Sequence, residues 1–181
     1  MTTYAQYEAM TGSDDAATNG ETVFVTGGTG FVGSHLVEEL LRRGAAEVRC
    51  LVRSEQKWLE EIRDAAPERL TYVEGELSNI ELLWDALDGA DRVYHIGGRT
   101  RARTYEALQK ANVTSTMNLL GAVKHAAPNV NRVLVTSSLA AVGRCDAAEA
   151  TEDMPLQPVS RYGRSKAEME ASIRNPHQMT E

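Results

Sequence analysis

Val23–Gly33 reads VFVTGGTGFVG, an apolar run that breaks into glycines and resumes as an amphipathic pattern. The run is short and rich in Val, as a strand buried on both faces should be. Gly27, Gly30 and Gly33 follow with the spacing G-x-x-G-x-x-G. From Phe31 onward, Val32, Leu36, Val37, Leu40 and Leu41 fall on one helical face. Gly44, after Arg42 and Arg43, reads as a helix stop. The stretch is therefore a strand, a tight turn and a helix. Each glycine has its own task. The first lets the chain turn sharply, the second lets the backbone approach a phosphate with no Cβ in the way, and the third lets the helix pack close to the sheet. The helix N-terminus adds free N–H groups and a partial positive charge.

The same alternation continues outward from this turn. EVRCLV (47–52), RLTYVEG (69–75), ADRVYHIGG (90–98) and NRVLVTSS (131–138) read as further strands. Helical patterns cover roughly 55–65, 79–87 and 105–126, and a last helix begins near Ser160. Ser78 with Glu81 has the form of a capping box. Five strands alternating with helices predict an α/β doubly wound parallel sheet. Residues 1–20 are small, polar and acidic and read as a flexible tail. Residues 21–181 read as one domain.

Composition narrows the partners. The chain has 181 residues, 42% of them hydrophobic, and a net charge of −7. An acidic surface argues against nucleic acid and against an anionic membrane surface. Cys50 and Cys145 are too few for a disulfide framework and are expected to be reduced and buried. No apolar run is long enough to span a bilayer, and the N-terminus lacks the regions of a signal peptide. A cytoplasmic compartment is expected, with no metal site.

The glycine turn in this context is the pyrophosphate cradle of a dinucleotide, NAD or NADP. The end of the second strand chooses between them. An acidic residue there would accept from a ribose 2′-hydroxyl, whereas an arginine would pair with a 2′-phosphate. Here the strand ends in Arg53, with Ser54 beside it and Lys57 a turn later. NADP(H) is therefore preferred and NAD(H) remains open, as does a solvated Arg53 with no cofactor role.

TGGTGFVG (26–33), LVRS (51–54), NVTSTMNLL (112–120), VTSSLAAVG (135–143) and YGRSK (162–166) occur in that order. Together they resemble the extended short-chain dehydrogenase/reductases. That family includes nucleotide-sugar epimerases and dehydratases, dihydroflavonol-reductase-like enzymes and hydroxysteroid dehydrogenases. The resemblance implies a Rossmann fold and a Ser-Tyr-Lys site for hydride transfer at a hydroxyl or carbonyl carbon. It places the tyrosine on Tyr162 and the lysine on Lys166. It places the serine on Ser138, with Ser137 as second choice and Thr136 as third. Tyr162 and Lys166, four apart, share a helix face. A nearby ammonium favours phenolate, so a tyrosine there can exchange a proton with a substrate oxygen. A hydroxyl at a strand end can hydrogen-bond that oxygen. The implied cofactor contacts are Thr26, Gly27, Gly30, Phe31, Val32, Gly33, Arg53, Glu76, Leu77, Gly97, Gly98, Asn112, Tyr162 and Lys166.

Some positions depart from the family pattern. Glu76 stands where an Asp usually meets the adenine, and Gly97 and Gly98 stand where small residues such as Ala are common. His95 reads as a packed strand residue. Asn112 matches an asparagine that orders a water near the lysine, or is an ordinary polar helix residue. The chain stops at NPHQMTE (175–181), short of the further strand and substrate-binding portion the resemblance implies. The substrate class is a sugar nucleotide, ketone or secondary alcohol. An uncovered sheet edge and apolar helix faces predict self-association into a homo-oligomer. A non-catalytic NAD(P)-binding module and an inert fragment of a longer enzyme are the alternative readings.

Overall fold

The first strand, β1 (Thr22–Thr26), contains neither proline nor glycine, and its Val23, Phe24 and Val25 are fully buried. Burying one such side chain contributes roughly 1.5–3 kcal/mol. The computed structural model describes residues 19–53, 57–145 and 150–175. Most of the acidic tail, Ser54–Gln56 and the last residues lie outside that range. Asn19 and Gly20 lie inside it, and the Gly20 N–H donates to Gly44 O at 2.9 Å.

β1 leads into α1 (Phe31–Arg42), β2 (Glu47–Val52), α2 (Lys57–Ala65), β3 (Leu70–Glu74), α3 (Ile80–Leu87) and β4 (Arg92–His95). Then come α4 (Tyr105–Gln109), a π-helical turn (Lys110–Thr114), α5 (Ser115–Ala126), β5 (Arg132–Val135), α6 (Leu139–Val142) and α7 (Arg161–Arg174). The sheet order is β3-β2-β1-β4-β5, and the registered pairs β1–β2, β1–β4 and β2–β3 are all parallel. The sheet is thus the parallel α/β sheet that the alternation predicts. The strand order reverses at β1, between β2 and β4, the place where open parallel sheets bind ligands.

Local chemistry explains the boundaries. Gly44 ends α1 at φ +85°, with Gly44 N–H donating to Leu41 O and Ala45 N–H to Leu40 O. Those two bonds cap the last carbonyls in a Schellman arrangement. α3 is capped by Asn79, whose side chain accepts from the Leu82 N–H at 3.2 Å. The cap is therefore one residue later than the Ser78 capping box predicts. Asn79 is extended, and its short amide reaches the third helical N–H directly.

The pattern over 105–126 is helical throughout, yet it contains the π turn. Ser115 Oγ donates to Lys110 O at 3.0 Å, and Thr116 Oγ1 donates to Asn112 O at 2.7 Å. Side-chain hydroxyls thereby take up carbonyls that the widened turn exposes. β5 also differs from expectation. Its residues alternate between exposed and half-buried, and Leu134 is 42% exposed, whereas Val93 of β4 is fully buried. β5 ends the strand order and has a sheet neighbour on one side only.

The chain divides into two compact units, Met1–Gly97 with Ala122–Leu134, and Gly98–Gly121 with Val135–Glu181. In the first, Val23, Val25, Val37, Leu40, Leu41, Val48 and Cys50 form the core beneath the glycine turn. Both cysteines are free. Cys50 is buried, and burial pushes its thiol up to about 12. Cys145 is only half-buried and lies against Met154.

Candidate active site

In the first unit the glycines are held by contacts that differ from one to the next. Gly27 takes φ +77°, and a Cβ there would sit 2.5 Å from Gly97 N. That close approach brings the ends of β1 and β4 together. A Cβ on Gly33 would meet Gly27 O at 2.1 Å, so α1 can start over the turn only with glycine there. Gly30 is different. Its N–H donates to Gly27 O at 2.9 Å, and a Cβ would meet only that same oxygen, at 3.3 Å. The protein itself scarcely excludes a side chain at Gly30, so the space there is a cradle that a Cβ would fill. Gly28 has a task that spacing alone does not reveal. A Cβ on it would strike Cys50 Sγ at 2.2 Å.

Around this turn, Phe31 and Val32 are exposed at 83% and 62% beside the N-terminus of α1. Thr26 is buried, and its hydroxyl lies 2.6 Å from His95 Nδ1 and accepts from the Gly97 N–H at 3.3 Å. Thr26 thus ties the two strand ends through its side chain. His95 is 1% exposed, a packed strand residue as its sequence position suggests. Arg53 is exposed one residue beyond β2. Glu76 is exposed and Leu77 half-buried, just after β3, and Glu76 O accepts from the Asn79 N–H.

The second unit gathers the other predicted residues. Ser138 follows β5, is extended at φ −158° and ψ 145°, and caps α6 by accepting from the Ala140 N–H at 3.2 Å. Ser160 Oγ accepts from the Gly163 N–H at 2.9 Å and starts α7, which carries Tyr162 and Lys166. Gly163 lets that first turn press on the Ser138 turn, because a Cβ there would lie 2.1 Å from Ala140 O. Lys166 is 4% exposed, and its Nζ donates to Thr136 O at 2.8 Å. Burial holds its pKa below the ordinary lysine value, and the Glu170 carboxylate opposes that shift. Tyr162 is half-buried.

Asn112 lies in the π turn, 1% exposed. Its Oδ1 accepts from the Arg99 N–H at 2.7 Å, and its Nδ2 donates to Arg99 O and to Ser165 Oγ, each at 2.9 Å. A Cβ on Gly98 would come within 3.2 Å of Asn112 Oδ1 and 3.5 Å of Lys166 Nζ. Asn112 therefore fixes the loop beside Lys166. Ser165, which meets Asn112, and Glu170, which meets Ser137, are neighbours of the candidate residues that the motif reading missed. Glu170 had one available signal, its position one helical turn after Lys166.

A parallel sheet whose first strand ends in a glycine turn under a helix N-terminus defines a nucleotide-binding protein of the Rossmann kind. Comparison then fixes the family. Residues 23–180 match the NAD dependent epimerase/dehydratase family, and the chain belongs to it. The chain is 30% identical over 161 residues to a UDP-glucose 4-epimerase of Azospirillum brasilense, covering 84% of this chain and 44% of that one. It is 36% identical over 128 residues to cinnamoyl-CoA reductase 1 of Petunia hybrida, covering 68% and 37%. Among solved structures, a dTDP-glucose 4,6-dehydratase of Streptomyces venezuelae with NAD bound has a TM-score of 0.77 and 31% identity. That likeness covers 87% of this chain and 52% of the dehydratase. The chain spans about half the length of the relatives it matches, and those relatives are epimerases, dehydratases and reductases.

Proposed function

We propose that the chain carries the cofactor-binding and proton-transfer parts of an NAD(P)-dependent oxidoreductase or epimerase/dehydratase acting on a hydroxyl or carbonyl group. The observation that carries this reading is the grouping of Ser138, Tyr162 and Lys166 in one unit. There α7 presses its first turn on the Ser138 turn, and Lys166 reaches Thr136. When bound, the nicotinamide supplies the hydride acceptor or donor. Gly27, Gly30, Gly33 and the N-terminus of α1 would hold the pyrophosphate. Tyr162 exchanges the proton of the substrate oxygen, and Ser138 orients that oxygen and stabilises its developing charge. Lys166 keeps a positive charge one helical turn from Tyr162.

The Tyr162→Phe change removes the proton carrier and keeps the ring. Turnover of sugar nucleotides, ketones or secondary alcohols should fall by about 10²–10⁴. Undiminished turnover in Tyr162→Phe would remove Tyr162 from the mechanism. Cofactor binding with no turnover by the enzyme that contains this chain would favour a binding module instead.

Arg53 supports NADP(H), and NADP(H) in turn supports a net reductase. Losing an arginine–phosphate contact should weaken NADPH binding roughly 10–100-fold in Arg53→Ala, with little effect on NADH. Fluorescence titration of both cofactors checks this. NADH binding the parent chain as tightly as NADPH would defeat the preference.

A further inference from the structure

Two side chains one turn apart on α7 hold consecutive residues of the segment that leaves β5. Lys166 Nζ donates to Thr136 O at 2.8 Å. Ser137 Oγ donates a short hydrogen bond to Glu170 Oε1. The next residue is Ser138, whose Oγ accepts from the Ala140 N–H and whose carbonyl accepts from the Ala141 N–H at 2.9 Å. Glu170 is half-buried, its other carboxylate oxygen accepts from the exposed end of Arg174 at 3.4 Å, and its charge also acts on Lys166. A hydroxyl donating to a carboxylate is a charge-assisted bond, stronger than a neutral one.

One attachment at Thr136 leaves the segment free to swivel about that point. A second attachment on the adjacent residue fixes its direction. Neighbouring side chains of extended backbone leave on opposite faces. Ser138 is extended, and its Oγ is engaged by the Ala140 N–H, whereas the hydroxyl on Glu170 is that of Ser137. We propose that Glu170 is a positioning residue that occupies Ser137 and thereby leaves Ser138 as the serine presented to substrate. This separates two adjacent serines that the sequence alone leaves as first and second choices. The catalytic consequence rests on the role given to Ser138 under the proposed function; the anchoring does not.

Amide hydrogen exchange on the 181-residue chain reads the anchor without any substrate. In Glu170→Ala and in Ser137→Ala, exchange at Ala140 and Ala141 should rise about tenfold, the loss of one strong hydrogen bond. The double variant should exceed neither single one, and Glu170→Gln, which keeps an acceptor oxygen, should recover part of the protection. Exchange in β1 should stay unchanged. If Glu170→Ala loosens β1 as well, Ser137→Ala decides, because it removes the same bond from the other side. Unchanged exchange at Ala140 and Ala141 in Ser137→Ala overturns the proposal. Where turnover is measured, Ser137→Ala should lower kcat at constant KM while Ser138→Ala abolishes it. Equal losses from the two serines also overturn it. A parent chain without turnover counts against the proposed function alone, since the exchange result stands apart from it.

Discussion

Gly30 and Gly33 look equivalent in the motif, yet their surroundings make opposite demands. A methyl group on Gly33 would drive into Gly27 O at 2.1 Å, backbone that cannot move aside. Gly33→Ala should therefore cost about 1–3 kcal/mol of stability, seen as a lower Tm. A methyl group on Gly30 meets one oxygen at 3.3 Å. Gly30→Ala should keep Tm near the parent value and lose dinucleotide affinity in a fluorescence titration. Normal binding by a fully folded Gly30→Ala would mean that no phosphate approaches that position. The spacing of the glycines was legible in the sequence. Which of them answers to the protein and which to a ligand was not, because that depends on atoms brought in by the fold.

Helix α1 shows how an element adds its own conditions. Glu39 accepts from Arg42 Nε at 2.7 Å and from Arg43 Nε at 2.6 Å. The Arg42 hydrogen bond above all lowers its carboxyl from 4.5 to about 2. The folded pKa lies below the unfolded one, so the stabilisation is complete above about pH 4.5 and is lost as pH falls toward 2. Glu39→Gln should flatten the dependence of Tm on pH across that window. Parallel curves for parent and variant would exclude Glu39 as a source of the acid sensitivity. The i,i+3 and i,i+4 spacing behind this pair can be read from the chain. The π turn at Lys110–Thr114 cannot, because the apolar period runs through it and only the folded backbone shows the Ser115 N–H donating to Lys110 O. Asn112 is 1% exposed there and bonds to Arg99 and Ser165.

The sheet as assembled leaves β5 at the end of its order, with Leu134 42% exposed. An apolar residue on an outer strand with open backbone invites pairing with another copy. Leu134→Lys should shift the 181-residue chain toward monomer in sedimentation velocity, because a charge on the edge opposes such pairing. A parent chain already monomeric at high concentration would refute the association. Among the described residues, no helix is long and apolar enough to cross a membrane.

Short-range periodicity carries much of this protein. The order of strands and helices, the glycine turn, the Ser160 start of α7 and the placing of Tyr162 and Lys166 on that one helix all follow from spacings within a few residues. Such spacings obey the fixed periods of strand and helix. Contacts across long stretches of chain obey no such period. Gly28 must stay small because Cys50 lies against it, and Thr26 meets His95 across the β1–β4 boundary. Ser137 meets Glu170 because α7 packs against the Ser138–Ala140 turn. Those pairings required the docked elements, since docking alone decides which side chains share a volume.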